Sequence, residues 1–239
     1  MENKKVLIGN FKSYMTFGDI KNYLRIIDNK IKHKNVILCP SNIYIPYFID
    51  NGFNVGIQNI CYNDNCTGEI TPVQAKSMGV KYSIIGHSER RIQFNEDDLI
   101  VNKKVIKSLN NELKVILCIG ETEEEKELLK TNTVIKRQLK NDLRGVTDSS
   151  NLIIAYEPVW AIGTNKIPSN KDISAIVSYI KKLAKELYNL DVKVIYGGSV
   201  NKSNIKLLNE IDNLDGFLIG KASTEANEFL ELVEVVVPQ

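Results

Sequence analysis

The feature that most restricts this chain's fold is a recurring alternation. Eight short, mostly unbroken apolar runs are separated by longer stretches, several with helical periodicity. The runs are Val6 to Asn10, Val36 to Cys39, Asn54 to Asn59, Tyr82 to Gly86, Lys114 to Ile119, Leu152 to Tyr156, Val192 to Tyr196 and Gly216 to Ile219. A strand that is apolar on both faces belongs to a parallel sheet covered by helices, because an antiparallel sheet open to water alternates instead. Eight strand–helix repeats fit a closed (β/α)₈ barrel with a parallel eight-stranded core, and 239 residues is close to the roughly 250 such a barrel uses. A doubly wound open sheet is the alternative. No GxGxxG follows the first run and no polar linker divides the chain, so a single barrel domain over residues 1–239 is expected.

The intervening segments carry matching signals. Ile20, Tyr23, Leu24, Ile27 and Ile31 share one helical face, as do Ile173, Ile176, Val177, Ile180, Ala184 and Leu187. Thr71-Pro72-Val73-Gln74 reads as a capping box with proline at the first helical position, and Ser169 is placed to cap the helix containing Ile173. A formal net charge of +2 with dispersed basic residues gives neither a nucleic-acid footprint nor a polybasic membrane patch. The apolar run after the first few residues is too short for a signal peptide and no run reaches membrane-spanning length, which predicts a cytoplasmic protein. Cys39 and Cys118 end apolar runs and read as buried thiols. Cys61 and Cys66 flank a polar stretch with no histidine near, which is poor zinc chemistry, and no metal is expected.

In such a barrel, side chains at the C-terminal ends of the strands converge on one rim. Asn10 and Lys12 follow the first run, His87 through Arg91 the fourth, Glu157 the sixth, Gly197-Gly198-Ser199 the seventh, and Gly220-Lys221 the eighth. Each has an ordinary reading of its own: a solvated lysine, a helix start with first-turn charges at Ser88 to Arg91, a tight turn at Gly197-Gly198. Their joint placement favours a site. Glu157 ends a buried strand and runs through Pro158 into an apolar Val159-Trp160-Ala161-Ile162 segment before Gly163, which reads as a base beside a water-excluding lid. The second histidine, His33, lies in a charged run and reads as a surface residue.

These motifs resemble the triosephosphate isomerase family. The resemblance rests on GNFK at Gly9 to Lys12, TGE at Thr67 to Glu69, IIGHSERR at Ile84 to Arg91, CIGE at Cys118 to Glu121, AYEPVWAIGT at Ala155 to Thr164 and YGGSV at Tyr196 to Val200, in family order along the whole chain. It implies a TIM barrel that interconverts dihydroxyacetone phosphate and glyceraldehyde 3-phosphate through an enediolate without a cofactor. It further implies Glu157 as the proton-transferring base, His87 as a neutral electrophile, Lys12 as the cation facing phosphate and enediolate, Asn10 as a donor to substrate and Glu89 as the group that holds Lys12. By the same likeness the phosphate would sit on backbone N–H groups of Gly163, Ser199, Gly220 and Lys221. A homodimer would form through the loop from Ile60 to Glu69, with Thr67 reaching the neighbouring site.

Several positions depart from the family pattern. Phe11 stands where tryptophan is usual and Tyr14 where asparagine is common. Asn165 replaces the second glycine of GTG, Lys221 replaces a glycine, and the loop before Thr67 is shorter than usual. Pro168 occupies a position whose backbone N–H would bond a tyrosine matching Tyr196, and proline has none. Two other functions compete with the isomerase: a non-catalytic barrel that binds phosphorylated ligands, and a different sugar-phosphate isomerase or epimerase. The metal-dependent epimerases need clustered histidine and carboxylate ligands, which two widely separated histidines supply poorly.

Overall fold

The computed structural model describes residues 5–32, 35–164 and 166–238. Eight strands form one parallel sheet: β1 (Val6–Asn10), β2 (Val36–Cys39), β3 (Gly56–Ile57), β4 (Tyr82–Ile85), β5 (Lys114–Ile119), β6 (Leu152–Tyr156), β7 (Lys193–Tyr196) and β8 (Gly216–Ile219). Their order is β2-β1-β8-β7-β6-β5-β4-β3, and the two ends meet where Leu38 bridges Val55 and donates to the Asn54 carbonyl at 2.9 Å. The result is a nearly closed TIM barrel. The helices between and after the strands are α1 (Phe17–Ile27), α2 (Ile45–Asp50), α3 (Pro72–Ser77), α4 (Ser88–Gln93), α5 (Asp98–Asn110), α6 (Glu123–Glu127), α7 (Thr131–Asp142), α8 (Asn170–Tyr188), α9 (Ile205–Asn209) and α10 (Ala226–Val236).

Five strands occupy the predicted spans, and the other three are shorter for local reasons. β3 shrinks to Gly56–Ile57: only these two residues pair with β4, and Val55 before them makes an isolated bridge to Leu38. β4 stops at Ile85 because Gly86 takes φ +72°, which no strand residue can hold. β7 starts one residue later than predicted. The expected caps form: Thr71 and Gln74 make a reciprocal capping box, and the Ser169 hydroxyl accepts from the Asp172 N–H. α1 ends at Ile27, before left-handed Asn29. Ile31, predicted on its buried face, is therefore buried from the following loop instead. The reading of His33 as a surface residue falls outside the described residues.

Two apolar layers follow from strand alternation. Val6, Ile8, Ile37, Cys39, Ile84, Ile116, Cys118, Ala155, Ile195 and Leu218 pack inside the barrel. The residues between them, such as Leu7, Leu38, Ile85, Leu117, Ile154, Val194 and Phe217, pack outward against the helices. Cys39 and Cys118 are buried free thiols, as expected, and burial pushes the Cys39 thiol up to about 12. Cys61 and Cys66 are joined by a disulfide, a pairing their sequence context did not suggest.

Among the described glycines, the closest main-chain approach lies just beyond β5 and β6. A Cβ on Gly120 would fall inside the Glu157 carbonyl oxygen and within 3.2 Å of the Pro158 nitrogen. These are main-chain atoms and cannot swing aside. Gly120→Ala is therefore expected to lower stability by roughly 1–3 kcal/mol, the usual cost of overpacking. Urea denaturation measures it, and an unchanged midpoint would show that this backbone yields.

Candidate active site

Strand parity explains which side chains reach the barrel mouth. Val6 and Ile8 point inward, so Asn10 does too. Ile153 and Ala155 lead in the same way to Glu157, Ile195 to Gly197 and Leu218 to Gly220. His87 is out of phase with Ile84, and the left-handed turn at Gly86 re-aims it. Asn10, His87 and Glu157 are all buried. They border a cavity of about 430 Å³ that Lys12, Gly163, Ser199, Gly220 and Lys221 also line.

The polar geometry is closely specified. Glu157 Oε1 lies 3.4 Å from His87 Nε2, and Oε2 accepts a long bond from the Ser88 N–H at 3.5 Å. His87, not Ser88, caps α4: its Nδ1 accepts from the Glu89 N–H at 3.2 Å. A ring nitrogen that accepts carries no proton, so the neutral imidazole bears its hydrogen on Nε2, facing Glu157. Lys12 Nζ contacts Glu89 Oε1 at 2.6 Å, and the Lys12 N–H donates to Asn10 Oδ1 at 3.2 Å. Ser88 to Arg91 are thus more than first-turn charges. Arg91 donates to the carbonyls of Gly86 and Cys118 and to Asp98 and Asp142, which fixes the turn that carries His87. Burial raises the Asp142 carboxyl to about 7 even with Arg91 beside it.

Lys12 has φ +48°, a left-handed backbone that costs a non-glycine residue free energy and persists only when its surroundings hold it. Here its carbonyl accepts from Ser41 Oγ at 2.7 Å and Gln58 Nε2 at 2.9 Å. Neither residue was singled out from sequence. The signal was present, since Ser41 continues the inward register of Ile37 and Cys39, and Gln58 that of Gly56.

The segment after Glu157 is anchored on both sides. Val159–Ala161 form a short 3₁₀ turn, with Gly163 at φ +68°. Trp160 Nε1 donates to Glu121 Oε1 at 2.8 Å, the Tyr156 hydroxyl reaches both Glu121 oxygens at 3.2 Å, and Lys126 Nζ lies 3.2 Å from the Trp160 ring centre. Burial raises the pKa of Glu121, opposed by the bonds from Trp160 and Tyr156 and by Lys126. Glu121 closes the CIGE motif, yet sequence offered no role for it. Lys166 pairs with Glu123 at 2.6 Å. Ser199 Oγ donates to the Ala161 carbonyl at 2.6 Å, and Asn165 lies outside the described residues. The Tyr196 hydroxyl is buried and bonds no other described residue. Among the described residues the N–H groups of Gly163 and Ser199 also make no hydrogen bond, which leaves them open to an anion.

The triosephosphate isomerase family model matches residues 5–236. The chain belongs to the triosephosphate isomerase family. It is 39% identical to the triosephosphate isomerase of Alkaliphilus oremlandii, over 96% of this chain and 98% of the relative. It is 37% identical to the enzymes of the same name from Finegoldia magna (96% and 98% covered) and Mycoplasmoides gallisepticum (97% and 98%). The family motifs thus coincide with the rim on which Asn10, Lys12, His87 and Glu157 meet.

Two outcomes are expected from this geometry. Gln58→Leu removes both bonds to the Lys12 and Cys39 carbonyls, each worth about 0.5–1.5 kcal/mol, and should lower kcat/KM about tenfold with circular dichroism unchanged. Full activity would show that Ser41 alone holds Lys12. Tyr196→Phe should cost little because its hydroxyl bonds no other described residue, whereas Ser199→Ala frees the Ala161 carbonyl and should cost more. Steady-state kinetics in which the tyrosine change is the more damaging would overturn this account of the lid.

Proposed function

We propose that this chain interconverts dihydroxyacetone phosphate and D-glyceraldehyde 3-phosphate, with Glu157 as base and His87 as electrophile. The observation that carries the reading is Glu157 Oε1 at 3.4 Å from His87 Nε2, beside a lysine held by Glu89 at the edge of one cavity. Removing a proton from a carbon next to a carbonyl sends its electron pair to the carbonyl oxygen, so the site needs a base and donors aimed at that oxygen. In this reading Glu157 takes the proton and returns it to the neighbouring carbon. His87 Nε2–H donates to the oxyanion, Asn10 adds a second donor, and Lys12 offsets the charge of enediolate and phosphate. A positioned base contributes about 10²–10⁴-fold, and each oxyanion donor about 2.7–4 kcal/mol. The phosphate would rest on N–H groups of Gly163, Ser199, Gly220 and Lys221, and no step requires a cofactor.

We further read one barrel over residues 1–239 as the catalytic unit, in the cytoplasm, and a homodimer through the loop from Ile60 to Glu69. No helix among the described residues is long and apolar enough to cross a membrane. Phe17 packs against Tyr44 and Tyr47, and with Tyr14 and Ile43 these leave apolar surface near the mouth for a second subunit to cover.

A coupled assay with glyceraldehyde 3-phosphate and no added metal tests the reaction. A barrel that only binds phosphorylated ligands, or a metal-dependent epimerase, would not turn over. Glu157→Asp draws the carboxylate back by roughly 1 Å, which should lower kcat about 10²-fold with KM nearly unchanged. An unaltered kcat would remove Glu157 from the role of base.

A further inference from the structure

We propose that Cys61 and Cys66 form a reversible dithiol–disulfide site that sets the shape of the loop leading into Thr67-Gly68-Glu69. The two cysteines are bonded across a sequence separation of five, with Cα atoms 6.5 Å apart, within the range a disulfide spans. The bridge has a local task. Cross-link stabilisation grows with the length of chain enclosed, so a ring this small constrains its own loop far more than the barrel. That loop has few other restraints. The Cys61 N–H donates to the Ile70 carbonyl at 2.8 Å, and the Glu69 N–H donates to the Cys66 carbonyl at 3.2 Å. Asp64 pairs with Lys107 at 2.6 Å and the Tyr62 ring lies beneath Lys103, both lysines being on α5. Gly68, at φ +82°, then makes a left-handed turn before Glu69.

The surroundings favour reversibility. Cys66 is partly exposed and Cys61 nearly buried, so an external thiol or disulfide meets Cys66 first. Accessible disulfides are the ones that exchange readily. Cys39 and Cys118 remain thiols deep in the barrel, so this is no disulfide-stapled scaffold, and small oxidants meet only the loop pair. The chemistry balances with oxidised glutathione as oxidant. The Cys66 thiolate attacks its disulfide and expels one glutathione thiolate. The Cys61 thiolate then attacks Cys66 Sγ and expels the second, so two protein thiols become one disulfide and one glutathione disulfide becomes two thiols. The bridge lies in the loop assigned above to the subunit contact. An effect on association would rest on that assignment, whereas the redox pair does not.

The test equilibrates the full-length native protein in oxidised or reduced glutathione, quenches with acid, and counts thiols by maleimide mass tagging after denaturation. Of the four cysteines, two thiols are expected in oxidised glutathione and four after reduction, with a linked Cys61–Cys66 peptide by mass spectrometry. Cleavage on the N-terminal side of Asp64 by an aspartate-specific endoprotease should slow several-fold in the oxidised form. In Cys66→Ser, cleavage should be fast in both buffers. Four thiols in oxidised glutathione, glutathione retained on Cys66 without a bond to Cys61, or equal cleavage in both states would each overturn the proposal. Sedimentation of the two forms bears on the dimer alone.

Discussion

Glu157 is gripped by its main chain and its side chain at once, and most of the mouth of the barrel is arranged around that grip. Its N–H donates to the Ile119 carbonyl at 2.7 Å, and its own carbonyl occupies the space that a side chain on Gly120 would need. Its Cγ also crowds Gly197, where a Cβ would come within 2.8 Å. A carboxylate attached to so confined a backbone has few positions available, and one of them faces His87. Glycine is therefore required just after both flanking strands for reasons of space, not of conformational freedom.

Lys12 is held by different means. Its backbone is strained, and three polar groups keep it so: Ser41 and Gln58 at its carbonyl and Asn10 at its N–H. Its ammonium is fixed separately by Glu89, which also donates its N–H to His87. One residue thus ties the cation and the imidazole together, so their spacing depends on the first turn of α4. Behind that turn Arg91, partly buried against carbonyls and carboxylates, supports the left-handed Gly86. Polar groups inside a barrel are costly unless satisfied, and here each satisfied bond also orients a side chain at the mouth.

The segment after Glu157 is anchored through one buried carboxylate. Glu121 receives Trp160 and Tyr156 from β6 and the segment beyond it, while Ser199, after β7, holds Ala161. These contacts bring groups from three strand ends onto one short apolar stretch. Movement of that stretch would have to exchange them for others. Tyr196, buried and without a hydroxyl partner among the described residues, stands beside this network and outside it.

The barrel was legible in the sequence because alternating strands and amphipathic helices are local patterns that packing reinforces. The apolar runs on both faces specified a parallel sheet, and the inward register of Ile8, Ala155 and Leu218 carried Asn10, Glu157 and Gly220 to the same rim. Family motifs named the remaining residues of the site. Sequence could not place what depends on atoms distant along the chain. The re-aiming of His87 by Gly86, the support of Lys12 by Ser41 and Gln58, the burial of Glu121 beneath Trp160 and the pairing of Cys61 with Cys66 became visible only in three dimensions. Periodicity reports which face a side chain occupies. Which polar atom it meets there is decided by the close approach of strands and loops that no local pattern encodes.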